Sequence, residues 1–285
     1  MVTKTEFISY AQNMEDVVLG RLVALVPNGC FIDVGAGHPI LENVTYALYL
    51  KGWRGINVEP MQREVDMLCA ERPDDETVRA AVGATMGSVT LFEAPSENRG
   101  ATTSDAAVAA DYEAAGETFV AFESPMVTLS SLLEKFQAGA VHVVKIDVEG
   151  MELDVLQSAD LQRHRPWVVV VESTEPNKPT STAHIWEHIV LEAGYRCTLF
   201  DGLNRFYVRT DLEDVAALLS VPANVFDHWT AARTADLRQE VAELRASFRE
   251  AETYALALES ALADLRAENE KASDKSRKPF GRART

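Results

Sequence analysis

The chain has 285 residues, with 44 acidic against 27 basic side chains and a net charge of −17 at pH 7. That balance excludes general nucleic-acid binding, which needs a basic stripe, and the length allows one substantial domain plus an appendage. No apolar run reaches the ~18 residues of a membrane span, and polar residues interrupt every apolar run before Leu25, unlike a signal peptide. The cysteines (Cys30, Cys69 and Cys197) are scattered and form no Cys-x-x-Cys pair, as expected of buried thiols in a reducing cytoplasm.

Ser9 to Asp16 opens a helix that continues through Val17, Val18, Leu19, Leu22, Val23 and Val26, with Asn13 as its candidate cap. Gln12 and Asn13 lie at its start, where they either face a ligand pocket or simply cap. Pro27-Asn28-Gly29 ends the helix. Cys30 to Val34, followed by Gly35-Ala36-Gly37, reads as a buried strand feeding a tight loop. Its glycines let the backbone turn sharply and let a ligand lie close against it. Ile40 stands where the dinucleotide fingerprint needs a glycine, and Asp33 precedes the first glycine, which disfavours a nicotinamide oxidoreductase. After a helical stretch from Asn43 to Lys51, Gly55 to Pro60 is a second apolar run closed by an acid. Glu59 lies about twenty residues beyond the glycines, where an open α/β fold sets strand two beside strand one and a carboxylate can accept both ribose hydroxyls.

A third strand is read at Thr77–Val82, with Ser88–Phe92 as its hairpin partner across the Met86-Gly87 turn. Ala94 to Glu123 is rich in Ala, Ser and acids, with a short helix near Ala106–Ala115, and reads as a lid or a surface excursion. Val127–Leu133 begins a helix. The strongest strand of the chain follows at Val141–Gly150, then a helix carrying Met151, Leu153, Val155 and Leu156. Trp167–Glu172 is strand five and His184–Ala193 a helix. Tyr195–Phe200 and Arg205–Val208 are strands around the Asp201-Gly202 turn. Strands alternating with helices predict a parallel sheet, to which the terminal hairpin adds one antiparallel strand.

Asp33-x-Gly35-x-Gly37 resembles the first motif of S-adenosylmethionine (SAM) methyltransferases. Three further segments, Ser9 to Asp16, Gly52 to Pro60 and Val144 to Glu152, agree with it in order and spacing. Together they look like the FkbM family of SAM-dependent O-methyltransferases, over roughly Glu6 to Arg209. The resemblance implies an α/β class I SAM-methyltransferase-like (Rossmann-type) fold, a mostly parallel sheet with helices on both faces. It implies SAM as cofactor and a hydroxyl acceptor, on a sugar of a glycoconjugate or on a secondary metabolite. The cofactor residues expected are Asp33, Gly35, Ala36, Gly37, Glu59, Pro60 and Val82, with Gln12 and Asn13. Asp33 is expected to suit the cationic groups of SAM. His38, Asn43, Thr45, Arg99, Thr102 and Glu149 are the expected acceptor contacts, with Asn98 and Thr103 beside them in the insert. A loop histidine without a role is the competing reading of His38, and helix-start acids that of Glu149 and Glu152.

Ligands in such sheets bind beyond the carboxyl ends of the strands, where Asp33, Glu59, Asp147 and Glu172 each close an apolar run. A hydroxyl is a poor nucleophile, so either a carboxylate takes its proton or a divalent metal lowers its pKa. Asp147 is the candidate base, with Glu172 beside it. Lys145 shares the side parity of Asp147 and orients or deprotonates the acceptor. Magnesium is the candidate metal, with Asp147 and Glu172 as a thin ligand pair.

From Leu237 the apolar positions run Val241, Leu244, Phe248, Ala251, Ala255, Leu258, Leu262 and Leu265 to Asn269, alternating four and three apart as in a coiled-coil seam. The division expected is a methyltransferase domain at 1–230, a coiled-coil helix at 231–270 and a basic disordered tail at 271–285. That tail carries six basic residues and one acid and either meets anionic lipid or is solvated. A homodimer through the seam is expected. The alternative is a catalytically inactive scaffold that recruits a biosynthetic partner through the coiled coil, against which stand the intact Asp33, Gly35, Gly37, Glu59 and Asp147.

Overall fold

The computed structural model describes residues 6–93, 102–103, 119–175 and 178–276, with the backbone alone at 102–103 and 272–276. The chain opens with β1 (Phe7–Ser9), α1 (Glu15–Gly20), a 3-10 turn (Arg21–Ala24), β2 (Cys30–Val34), α2 (Tyr46–Leu50), β3 (Arg54–Val58) and α3 (Gln62–Glu71). Next come β4 (Glu76–Val78), β5 (Ala81–Val82), β6 (Gly87–Glu93), β7 (Thr102–Thr103), β8 (Val120–Val127), α4 (Leu129–Leu133), β9 (Val143–Ile146), α5 (Glu152–Gln157) and α6 (Leu161–His164). It continues with β10 (Val168–Glu172), α7 (Ala183–Glu192), β11 (Tyr195–Phe200), β12 (Asn204–Arg209), α8 (Glu213–Leu218), a 3-10 turn (Val225–Asp227), β13 (Trp229–Ala231) and α9 (Ala232–Ser276).

The main sheet has seven strands in the order β11-β12-β10-β9-β2-β3-β4. β12 runs antiparallel to both neighbours, while β10, β9, β2, β3 and β4 pair in parallel. The terminal hairpin therefore supplies the antiparallel strand, and the fold is the expected class I methyltransferase arrangement.

Strand residues alternate between two buried layers, which is why these runs are apolar throughout. Ile32, Val34, Val144, Ile146, Val169 and Val171 pack with α4, α5 and α7. Phe31, Val143, Val168, Val170 and Phe206 pack with α1, α2 and α8. One cross-sheet row on the second face is polar instead, with Asn57 opposite Asp33 and Asp33 opposite Lys145.

Several elements differ from expectation. The first helix starts at Glu15, and its N-cap is Met14 in the left-handed region (φ 62°) with no side-chain cap, so Asn13 does not cap it. The run at 77–82 is divided between two sheets. Glu76–Val78 pairs with β3, and Ala81–Val82 pairs with β8 in a second sheet of order β5-β8-β6-β7. The strand read at Ser88–Phe92 pairs with β8 rather than with 77–82, because β8 supplies a seven-residue antiparallel register from Val120 to Met126. Of the insert, Val120–Glu123 belongs to β8, while 94–101 and 104–118 lie outside the described residues.

The chain separates into two compact units, Met1–Ala231 and Ala232–Thr285. The first contains both sheets and a parallel two-stranded pair, β1 with β13. The second contains α9, a 45-residue helix. Among the described residues no helix is long and apolar enough to cross a membrane.

Candidate active site

The carboxyl ends of β2, β3, β9 and β10 converge on one region. Gly35 and Ala36 both donate backbone N–H to the Val58 carbonyl (3.0 and 3.1 Å), and Asp147 donates its N–H to the Val34 carbonyl (3.1 Å). Gly35 (φ +74°) has to be glycine, because an added Cβ would stand 1.8 Å from the Asp147 carbonyl oxygen. Gly37 (φ +58°) has open space where a Cβ would be, and beside it lies Glu59. One Glu59 oxygen accepts from Gly37 N and the other from Met61 N, both at 2.9 Å. Burial pushes the Glu59 carboxyl up to about 7 against those two lowering bonds. Ala36 is buried and Pro60 half-buried where β2 and β3 end, and Val82 is buried in β5 of the second sheet.

Asp33 differs from expectation. Its side chain is buried; Oδ2 accepts from Thr45 Oγ1 at 2.6 Å, and Oδ1 faces Lys145 Nζ at 3.5 Å. A carboxylate so enclosed supports the loop from below and cannot meet the cationic groups of a ligand directly. Asn43 and Thr45, expected as acceptor contacts, are likewise buried and committed. Asn43 Nδ2 donates to the carbonyls of Ala36 (3.0 Å) and His38 (3.1 Å), while its Oδ1 accepts from Thr45 N and Tyr46 N. Thr45 gives its proton to Asp33. His38 accepts two loop amides at Nδ1, from Ile40 and Leu41 at 3.1 and 3.0 Å, which places the proton of a neutral ring on Nε2.

Lys145 is buried, and its ammonium donates to the Gly35 carbonyl (2.9 Å) and pairs with Asp147 Oδ2 (3.3 Å) as well as Asp33. Desolvation alone would lower its pKa, but the Asp147 and Asp33 charges outweigh it and push it above the ordinary lysine range. Lys145 is therefore a fixed cation and takes no proton from an acceptor, which corrects that half of its expected role.

Asp147, Glu149 and Glu172 form a cluster with ligand oxygens all within 4.8 Å of one another. Burial first, then the charge of Asp147, raises Glu149 to about 8 and holds Glu172 well above the usual carboxylate range. Glu149 sits in the left-handed region (φ 51°), and Glu152 holds its turn by accepting from Gly150 N at 3.1 Å. Arg99 and Asn98 lie outside the described residues. The side chains of Thr102 and Thr103 do too, although their backbone forms β7.

The segment before α1 lies over the same end of the sheet. Ala11 bridges Glu42 just after the ligand loop, and Asn13 Nδ2 donates to the Asp201 carbonyl at 3.2 Å on the β11–β12 turn. Glu15 accepts from Asn204 Nδ2 at 2.6 Å, and Asn204 stands opposite Glu172 in the sheet. Asp16 accepts from Ser9 Oγ, Tyr10 N and Ala11 N. Asn13 is thus tied to the β10–β12 side rather than to the glycine loop, and Gln12 is exposed. Sequence reasoning missed Glu15 and Asp16 as the organisers of this segment. Two adjacent acids beside a non-helical turn were the available signal.

The family model described as the FkbM methyltransferase domain matches residues 33–197, more than half of the chain. The chain belongs to the FkbM methyltransferase family. As such it is a SAM-dependent methyltransferase. Solved structures similar to this FkbM chain include a TehB-like SAM-dependent methyltransferase from Corynebacterium glutamicum (10% identity, TM-score 0.36, covering 68% of this chain and 86% of that one). Others are a precorrin-6y C5,15-methyltransferase from Geobacter metallireducens (10%, 0.37, 73% and 93%) and the magnesium protoporphyrin IX methyltransferase of Synechocystis with bound SAM (10%, 0.35, 68% and 77%). No curated protein matches the chain. The FkbM loop fits a ligand such as SAM on one observation. Open space over Gly37, with backbone at positive φ and an acid at its edge, leaves a cradle that no side chain among the described residues fills.

Proposed function

We propose that the chain is an O-methyltransferase whose acceptor is a hydroxyl of a small molecule, a sugar of a glycoconjugate or a secondary metabolite. The observation that carries this is the cluster of Asp147, Glu149 and Glu172 around the fixed Lys145 ammonium, at the strand ends next to the glycine loop. Bound SAM supplies a methyl group on a sulfonium, a very good leaving group, so positioning and proton removal are left to the protein. The Gly35–Gly37 backbone and Glu59 would hold SAM, with the Glu59 oxygens accepting from the ribose. Asp147, half-exposed and oriented by Lys145, takes the acceptor's proton as the new carbon–oxygen bond forms. Glu149, raised to about 8 by burial, donates a hydrogen bond to another acceptor oxygen, while Glu172, raised by burial and by the Asp147 charge, hydrogen-bonds Asp147 beside it.

A second reading has its own support. Three carboxylate oxygens within 4.8 Å suit a hard divalent cation such as magnesium, which would lower the acceptor pKa in place of a base. Asp147→Asn separates both readings from an inactive domain, since it should abolish transfer of labelled methyl to a panel of sugar nucleotides and glycolipids while SAM affinity stays within about twofold. A variant with wild-type rate rejects Asp147 in either role. Chelation that leaves the native rate untouched removes the metal reading.

The α9 seam supports a homodimer. Its large apolar residues are exposed, from 44% at Val241 to 70% at Phe248. In a parallel, in-register pair Glu240 flanks Arg245 of the second copy and Asn269 faces itself, a register device that favours two strands.

A further inference from the structure

Arg72 ends α3 with no exposed surface. Its guanidinium pairs with Asp75 Oδ2 at 2.9 Å and lies 5.3 Å from the ring centres of Phe31 and Tyr49. Asp75 in turn accepts from Gly55 N (2.9 Å) and Asn57 Nδ2 (3.2 Å) at the edge of the sheet. A buried ion pair alone is weak evidence for anything beyond packing. Here the fork reaches further. Arg72 Nη1 donates to Asn43 Oδ1 at 3.2 Å, and Nη2 donates to Thr45 Oγ1 at 3.1 Å.

Those two acceptors are the side chains from which the ligand loop hangs. Asn43 clamps the carbonyls of Ala36 and His38. Thr45, with its oxygen taken by Arg72, points its proton at Asp33. Asp33 faces Lys145, and Lys145 holds the Gly35 carbonyl. One cation therefore ends two buried chains of polar contacts, and both arrive at the backbone between Gly35 and His38. Hydrogen bonds in such a low-dielectric chain polarise one another, so a change at one end is felt along it.

We propose that Arg72 is a positioning residue for SAM binding, setting the Gly35–His38 backbone through Asn43 on one side and through Thr45, Asp33 and Lys145 on the other. The proposal rests on that backbone being the SAM cradle. Arg72→Lys keeps a cation beside Asp75 but cannot span Asn43 and Thr45 as well, since an ammonium is a point donor without the fork. Thr45→Val is nearly isosteric, leaves all charges in place and cuts the chain to Asp33.

The test is calorimetric titration of the full-length variants with SAM, well below their melting temperatures, with melting measured in parallel. Both variants should bind SAM about tenfold more weakly than wild type while remaining folded, and SAM should raise their melting temperature less. The double variant should bind little more weakly than Arg72→Lys alone, because Thr45→Val cuts one of the two chains that Arg72 already ends. If Arg72→Lys does not fold, Thr45→Val decides alone. A variant that melts earlier yet binds SAM as wild type does shows packing only and overturns the proposal. A wild-type chain that binds no SAM overturns the cradle reading itself, a result distinguishable from the former.

Discussion

Glu59 illustrates how burial makes a binding acid pH-sensitive. Its carboxyl is pushed up to about 7 because the desolvation cost exceeds what two backbone amides return. Only the ionised form accepts fully from ligand hydroxyls, so SAM affinity should rise between about pH 6 and pH 8 and level off above. Glu59→Gln should bind several-fold more weakly at about pH 8 and lose the pH step, by calorimetry at both values. A variant that keeps the step shows that another group titrates. The position of Glu59 was legible because an apolar run ended in an acid at a telling distance. What each polar group was already bonded to was not. Asp33, Asn43 and Thr45 look like ligand contacts as residue types, yet every one is enclosed and engaged with its neighbours. Arg72 reads as the charged end of a surface helix, since Glu71-Arg72-Pro73-Asp74-Asp75 carries no periodicity that would reveal its burial.

At the scale of elements, the parallel strands were readable because burial on both faces makes them continuous apolar runs, as in Val168–Glu172. The second sheet was not, since β8 joins β5 and β6 across a long insert and no local pattern records such a pairing. The three-residue strands β1 and β13 escape notice for the same reason: each exists only because the other does. They also dictate where the arm can be removed. A cut after Trp229 would take away Thr230 and Ala231, the partners of Ile8 and Ser9, and unfasten the segment that carries Asp16. A chain ending at Ala235 keeps the pair and loses the seam, so it should be a monomer that binds SAM with unchanged affinity. Light scattering at micromolar concentration checks this against a dimeric full-length chain. A monomeric full-length chain would remove the homodimer.

Over the whole molecule, one end of the sheet gathers carboxyls that burial holds above their ordinary values. Asp16 lies at about 6, Glu15 and Glu59 at about 7 and Glu149 at about 8, with Glu172 higher. The folded state then binds more protons than the unfolded chain from about pH 4 upward, so stability falls as pH rises through these values. Melting of the ligand-free protein at about 0.3 M salt, where surface repulsion is screened, should drop by several degrees between about pH 5.5 and pH 8.5. A flat or rising profile would show that these acids are not held as the structure places them.

β1 and β13 bring Glu6 and Thr230 into a hydrogen bond across 224 residues of chain. During synthesis β1 emerges before the other described strands and waits for a partner that is nearly the last part of its unit to appear. The segment over the candidate active site is therefore fastened late, just before α9 follows. An arm clear of the ribosome belongs to a chain whose catalytic unit already has all its strands. In the proposed homodimer, a chain interrupted before α9 has no arm with which to capture an intact copy.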